Sequence, residues 1–436
     1  MRDGKFRCAL GIGLVLLVFF LLTSCLLDGL KISQGSDYGY ITGKISDENG
    51  KAISGATVTV TGTNLSYSAT TDSSGNYSIK AKTGTYTKIA FDCSCWSAKK
   101  TLSNKVTLSK NKTVTIPDYK LSANHNFKLT GMKESTVTEH GYRKYKCSGC
   151  GLVKTEQLPL VTGAKWAGVR VSDYGMVKDE DEPYAFDEFP GVDDMVSFGE
   201  KMESCYEGST GAYVLIVGTV HKSDWSCSLG FKLSKSIAHV SGTKGSDTYE
   251  SYLTALDNAG YSVWLQVESG DADLVELATE VMNHYKNHSC VKGFGIDVEW
   301  HQPEGTGGHG TPLSNDTVSA VLAAVQAIND DYTVFVKHWD TKYLPDAQDG
   351  LIFVNDSQQF ESLDEVKEDF SDWAKHYDPC PVMFQIGYIA DRSIWNEFDN
   401  PAKEFGEAIL EACTTDNDIG IIWVDFTLAD VIDKID

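Results

Sequence analysis

Positive charge is in short supply in this chain. Its 436 residues hold 38 lysines and arginines against 61 acidic side chains, a formal net charge of −23. Such a surface repels the phosphates that DNA or RNA presents, so nucleic acid is excluded as a partner. Cysteine is scarce as well. Eleven thiols are too dilute for a disulfide scaffold, and only Cys93/Cys95 and Cys147/Cys150 sit close together. The core must therefore come from apolar burial. A composition of 42% hydrophobic, 23% charged and 11% aromatic residues excludes disorder and collagen, and the length allows more than one domain.

Residues 1–25 read M-R-D-G-K-F-R-C-A-L-G-I-G-L-V-L-L-V-F-F-L-L-T-S-C: a basic start, an apolar stretch, then small residues before Cys25. This is the pattern of a secretion signal. The apolar run from Ala9 to Leu22 is shorter than the roughly 20 residues of a membrane span. The ending L-T-S-C resembles the lipobox of bacterial lipoproteins, which implies that Cys25 receives a lipid, that residues 26–38 form a tether, and that the rest lies outside the cytoplasm, lipid-anchored to the cell envelope.

From Tyr40 the text changes to alternating runs such as A-T-V-T-V-T and N-Y-S-I-K-A, separated by D-E-N-G, D-S-S-G-N and K-T-G-T. Alternation punctuated by Gly, Asn and Asp predicts antiparallel sheet with tight turns. The order G-K-I-S-D-E-N-G-K-A-I-S-G-A-T-V-T-V, T-T-D-S-S-G-N-Y-S-I, T-G-T-Y resembles the carboxypeptidase-regulatory-like domain and implies a small β-sandwich over residues 39–120, read as a stalk without chemistry of its own. Residues 121–162 are similar to a short repeat of bacterial surface proteins. They contain Cys147-Ser-Gly-Cys150, half of a structural zinc site, and His125 or His140 could add ligands. A disulfide or two thiols remain open for the same pair.

Residues 163–436 alternate apolar runs with helical stretches. Eight strands are expected, at 165–171, 213–220, 261–267, 292–299, 332–337, 351–354, 381–386 and 419–424. Helices are expected at 271–287, where Leu274, Leu277, Ala278 and Val281 repeat at helical spacing, and at 315–329, with Ser314 as N-cap. Eight βα units in about 270 residues fit a (β/α)8 TIM barrel. The alternative, a doubly wound sheet, lacks its glycine-rich phosphate fingerprint after the first strand. The barrel should bury a core by itself, leaving residues 26–162 dispensable for its folding.

In a (β/α)8 barrel chemistry gathers where the strands end. Those ends carry Gln266 and Glu268, Asp297 and Glu299, His338 and Asp340, Asn355 and Asp356, Gln385 and Tyr388, and Asp425. In G-F-G-I-D-V-E-W, residues 293–300, alternation places Gly293, Gly295, Asp297 and Glu299 on one face. That face should point into the barrel, with two glycines leaving space beneath carboxylates roughly 7 Å apart. Crowded acids push each other's pKa values apart, keeping one protonated as an acid, which glycosidic cleavage requires. Trp300, Trp339, Trp395, Trp423 and Tyr388 could stack on sugar rings, although Trp423 reads as core.

The phrase G-F-G-I-D-V-E-W resembles the fourth-strand Asp-x-Glu signature of glycoside hydrolases that cut N-acetylated glycans, the family 25 lysozymes and family 18 chitinases, and G-V-R-V-S-D-Y-G resembles the opening strand of the family 25 barrel. The resemblance implies that Glu299 protonates the leaving oxygen while Asp297 steers the substrate acetamide, with Asp425 lining the same cleft. This chain departs from the family 25 pattern at Arg170, and from the chitinase pattern at Lys292 and Gly295, which points to a related but distinct barrel.

The leading expectation is thus a surface-anchored hydrolase of peptidoglycan or another glycan. Its catalytic residues are Glu299 and Asp297, with Glu268, Trp300, His338, Asp340, Asp356, Gln385, Tyr388 and Asp425 binding substrate and no cofactor in the barrel. Two alternatives stand beside it: a deacetylase with metal held by Asp297, His301 and His338, and a non-catalytic glycan-binding lipoprotein.

Overall fold

The computed structural model describes residues 37–93, 95–178 and 183–435, so Cys25 and the leader-like residues lie outside the described part. Two compact units separate, one ending at Asn124 and one beginning at His125.

The first unit is a β-sandwich. One sheet runs Asn76–Lys82, Tyr38–Asp47, Thr113–Thr115, with Tyr119–Leu121 also pairing the long Tyr38–Asp47 strand. The other runs Leu65–Thr70, Thr57–Gly62, Gly84–Cys93, Trp96–Leu108. The alternation seen in the sequence is realised residue by residue: along Asn76–Lys82 every second side chain is buried. Ile41, Ile45, Val58, Val60, Ile79, Ile89 and Phe91 fill the space between the sheets. The D-S-S-G-N turn closes through Asp72, whose carboxylate accepts the N–H groups of Ser74 and Asn76, both at 2.9 Å. Gly75 sits there at φ +78° with the Ile45 carbonyl 2.3 Å from where a Cβ would lie, so only glycine fits.

In the second unit all eight expected strands form, with ends shifted by three residues or fewer: β1 (Trp166–Val171), β2 (Thr210–His221), β3 (Ser262–Val267), β4 (Val291–Asp297), β5 (Thr333–Lys337), β6 (Leu351–Asn355), β7 (Val382–Ile386) and β8 (Ile419–Trp423). Each pairs in parallel with its successor, and β1 pairs with both β2 and β8, which closes the barrel. The longer helices are α1 (Val192–Ser204), α2 (Glu250–Ala259), α3 (Leu274–Tyr285), α4 (Asn315–Gln326), α5 (Leu363–Tyr377) and α6 (Pro401–Ala412). Ser314 caps α4 by accepting the Thr317 N–H, and Leu274, Leu277, Ala278 and Val281 are the buried stripe of α3. One expected unit is missing its helix. The connection from β5 to β6 holds only the 3-10 turn Thr341–Tyr343, because this short stretch is interrupted by Pro345 and Gly350.

The barrel interior is filled rather than hollow. Trp166, Ala212, Val214, Trp264, Phe335, Ile352, Val354, Met383 and Ile422 form one buried layer, and each large apolar side chain so buried contributes about 1.5–3 kcal/mol. Gly293 and Gly295 do not leave space beneath the carboxylates. A Cβ on Gly295 would lie 2.1 Å from the Phe335 ring and one on Gly293 2.1 Å from the Thr333 carbonyl, so the glycines admit the neighbouring strand and its aromatic ring.

Residues 125–162 belong to the barrel's unit. Their three antiparallel strands, Phe127–Lys133, Tyr142–Cys147 and Val153–Gln157, are tied to it by Arg143, whose guanidinium meets both oxygens of Glu203 at 2.8 and 3.0 Å. Ser262 Oγ also donates to Glu134 at 2.7 Å. Burial pushes Glu203 up and Arg143 pulls it back, so cutting the chain at residue 163 leaves a mostly buried carboxylate without its cation. This alters the expectation that the barrel stands without residues 26–162. A fragment starting at residue 125 should melt about 5 °C or more above one starting at residue 163; equal midpoints by calorimetry would make the three strands dispensable after all.

Candidate active site

Side chains alternate along a strand, so the residue two places after an inward apolar one also points inward. Applied to the filled layer, this rule generates the site. Trp166 leads to Arg170, Trp264 to Gln266 and Glu268, Phe335 to Lys337, Val354 to Asp356, and Met383 to Gln385. Gly295 leads to Asp297 in the same way. Six of the eight strands therefore change from apolar to polar at the same height, at the carboxyl ends where (β/α)8 barrels carry chemistry.

The centre of this polar layer is Lys337. Its ammonium contacts Asp356 closely and Asp297 at 3.1 Å, and Gln266 Nε2 donates to Asp297 at 3.1 Å. Burial works against the Lys337 charge, but the two carboxylates outweigh it and hold the lysine protonated. One ammonium cannot satisfy every acid nearby. Burial, together with Glu299, Asp356 and Glu268, drives the Asp297 carboxyl well above the usual range despite Lys337. Gln266 Oε1, Asp297 Oδ1, Asp356 Oδ1 and Gln385 Nε2 are buried without a hydrogen-bond partner. Buried polar groups are ordinarily paired, so these four mark a place for water or substrate atoms.

Glu299 is not where strand alternation puts it. β4 ends at Asp297, and Val298–Trp300 form a 3-10 turn, so the period of two lapses one residue before Glu299. The turn leaves Glu299 half-buried. Burial raises its pKa, Asp356 and Glu268 raise it further, and Lys337 and Lys222 oppose them. Glu268 lies deeper. Tyr174 Oη donates to it at 2.8 Å and the Val220 N–H at 2.9 Å, yet burial still pushes it up. A cleft of about 360 Å³ opens here, lined by Asp173, Tyr174, Lys222, Glu268 and Trp300. The Lys222 ammonium lies 4.8 Å above the Trp300 ring. A larger cavity, about 1170 Å³, adjoins Thr162, Gly163, Ser209 and Ile419 at the opposite end of the strands, the end that serves stability in this fold.

Several expected substrate contacts are occupied internally. Asp425 is fully buried: one oxygen takes the Arg170 guanidinium and the other the N–H and hydroxyl of Ser172 at 2.7 and 2.6 Å. It therefore braces β1 against β8 and does not line the cleft. His338 is enclosed, with Nε2 3.0 Å from the His309 carbonyl and Nδ1 accepting the Asp340 N–H at 2.9 Å, and burial holds its pKa down to about 4. Asp340 accepts the Lys342 N–H and caps its own turn. Tyr388 is buried with its hydroxyl on Gln385 at 3.1 Å. Trp395 and Trp423 are both core, packed edge to face at 5.4 Å. His301 contacts Ser269 Oγ at 3.3 Å, and among the described residues Asp297, His301 and His338 do not converge as one metal-ligand group.

Lys337, Tyr174 and the pairing role of Arg170 escaped the sequence reading. For Lys337 a signal existed, since T-V-F-V-K places it on the face of Phe335. For Tyr174 none did, because it follows β1 in a loop.

The chain thus joins a β-sandwich to a (β/α)8 barrel whose mouth is rich in carboxylates. Among the known proteins that this chain resembles, three are described. The model of the carboxypeptidase regulatory-like domain matches residues 40–122. The β-glucuronidase of Parabacteroides merdae is 10% identical, with 85% of this chain and 42% of that chain covered and a TM-score of 0.33. A family 39 glycoside hydrolase from the gut symbiont Bacteroides cellulosilyticus is 9% identical, with 84% and 69% covered and a TM-score of 0.34. The chain spans 54% to 59% of the length of the first solved structures it matches. Among curated proteins no relative matches by sequence.

Proposed function

We propose that the barrel is a glycoside hydrolase of an N-acetylated or related glycan, peptidoglycan among the substrates to be tried, carried on the cell envelope by a lipid on Cys25. The observation that supports this most is Glu299: a half-buried carboxyl raised by burial and by Asp356 and Glu268, in the turn just beyond buried Asp297. A raised carboxyl keeps its proton to a higher pH and can deliver it to a glycosidic oxygen. Trp300 on the adjoining cleft offers a flat face for a sugar ring. In this reading Asp297, anchored by Lys337 and Gln266, holds the reacting group of the substrate while Glu299 donates. The test is to incubate the purified chain with peptidoglycan, chitin and plant polysaccharides and to measure new reducing ends. Their absence on every substrate overturns the proposal.

A second reading, binding without cleavage, is favoured by one observation. Asp297, the deepest acid, already has an ammonium 3.1 Å away, so a sugar could be held here without bond cleavage. Saturable glycan binding with no reducing ends supports this reading.

Two expectations follow from the proposal. A general acid works only while protonated, so activity falls as pH rises through the Glu299 pKa, and burial moves that alkaline limb above the ordinary glutamate value of about 4.3. Lys222 opposes the shift; Lys222→Gln should therefore move the limb further up, and less so at high salt. An alkaline limb unmoved by the substitution would separate Lys222 from the acid. For the anchor, Cys25→Ala should block lipid attachment and release the protein from membranes, read by detergent partitioning; a Cys25→Ala chain retained like the parent refutes lipidation.

A further inference from the structure

We infer that the sheet at residues 127–157 carries a structural zinc site built from His125, Cys147 and Cys150, independent of whatever the barrel does. The chain brings these residues together by register. Phe127 pairs opposite Cys147, so His125, two residues upstream, lies past the end of its strand where Cys147-Ser-Gly-Cys150 turns back. The Ser148 N–H donates to the Asn126 carbonyl at 2.9 Å, and the Gly151 N–H to the Cys147 carbonyl at 2.9 Å. Gly151, at φ +73°, lets the turn close in the left-handed conformation. The turn therefore presents two sulfurs from one side while the opposite strand delivers an imidazole.

The distances fit the metal. Tetrahedral zinc, with Zn–S about 2.3 Å and Zn–N about 2.0–2.1 Å, puts sulfur and nitrogen about 3.6 Å apart. Cys150 Sγ and His125 Nδ1 are 3.5 Å apart, and the ligand atoms of all three residues lie within 4.8 Å of one another. His140, the other histidine considered for this segment, is turned away, with Nδ1 2.8 Å from the Leu158 carbonyl. Binding displaces one proton from each thiol, leaving two thiolates and a neutral imidazole to neutralise Zn²⁺. The fourth corner of the tetrahedron falls to a donor outside these three residues. Because closing the site pins both strands and the turn, the metal stabilises a sheet whose outer strand, Val153–Gln157, is exposed along its whole length.

The test uses the full chain, purified reduced in the presence of zinc sulfate and freed of loose metal by gel filtration. Close to one zinc per chain is expected by mass spectrometry of the metal, together with protection of Cys147 and Cys150 from alkylation that is lost on chelation. Cys150→Ser and His125→Ala should each bring zinc to background, and Cys150→Ser keeps a side chain of similar size at an exposed position, so the barrel melt should persist. Cobalt in place of zinc should give thiolate charge-transfer bands that vanish in Cys150→Ser. The proposal is overturned by a reduced, folded chain without stoichiometric zinc, by zinc that survives the Cys147→Ser/Cys150→Ser double substitution, or by a Cys147–Cys150 peptide two hydrogens lighter that holds no metal.

Discussion

Glu299→Gln should lower turnover on a natural glycan by roughly 100- to 10,000-fold, the usual contribution of general acid catalysis, while leaving the fold intact. Glutamine keeps the shape of the side chain and cannot give up a carboxylic proton. The half-buried position means that no core packing is lost. Activated aryl glycosides depart without protonation, so they should partly rescue Glu299→Gln. They should not rescue Asp297→Asn if, as proposed, Asp297 acts on the substrate rather than on the leaving oxygen. Folding tolerates that second substitution for a specific reason: asparagine keeps the shape of Asp297, and Lys337 keeps its contact to Asp356. Full activity of Glu299→Gln moves the acid elsewhere, and the structure leaves one strong successor. Asp340 caps its own turn and Asp356 is paired with Lys337, whereas Glu268 is raised by burial and faces the cleft.

How far the sequence could be read depended on where backbone periodicity holds. The strands were legible because apolar runs of the right length are bounded by polar, Gly-containing or Pro-containing segments. Asp297 was legible because β4 stays extended through it. Glu299 was named for the wrong geometric reason, since the chain enters a 3-10 turn at Val298 and the same acid arrives at the mouth by another path. Pairings across the barrel were not legible at all. Arg170 and Asp425 are 255 positions apart, and nothing local in either strand names the other. His338 and Asp340 misled because a histidine or acid just past a strand end serves equally well as a turn component. Here His338 accepts the Asp340 N–H, and the two fold back on each other.

The pairing of Arg170 with Asp425 should carry a large stability effect. Both side chains are almost wholly out of water. Burial disfavours the guanidinium charge, and Asp425 more than offsets it, holding Arg170 above its ordinary value. Asp425→Ala removes the anion and leaves that charge among Phe426, 4.2 Å away, and Tyr174, 5.9 Å away. Cation–π contact with a desolvated ring is worth about 2 kcal/mol, less than the buried pair that is lost. Breaking one side of a buried pair costs about 3–5 kcal/mol, which corresponds to roughly 5–15 °C in the melting midpoint of the second unit. The double substitution Arg170→Met/Asp425→Leu should recover most of the loss, because it removes both charges and restores apolar contact. The pair also bears on chemistry through one contact. Tyr174, packed over Arg170, is the residue that donates to Glu268, so loosening the guanidinium frees a wall of the cleft. Activity measured well below the melt should therefore fall in Asp425→Ala more through KM than through kcat. A variant with an unchanged midpoint and a raised KM would instead make Asp425 a direct substrate contact, the role that its position at the end of β8 first suggested.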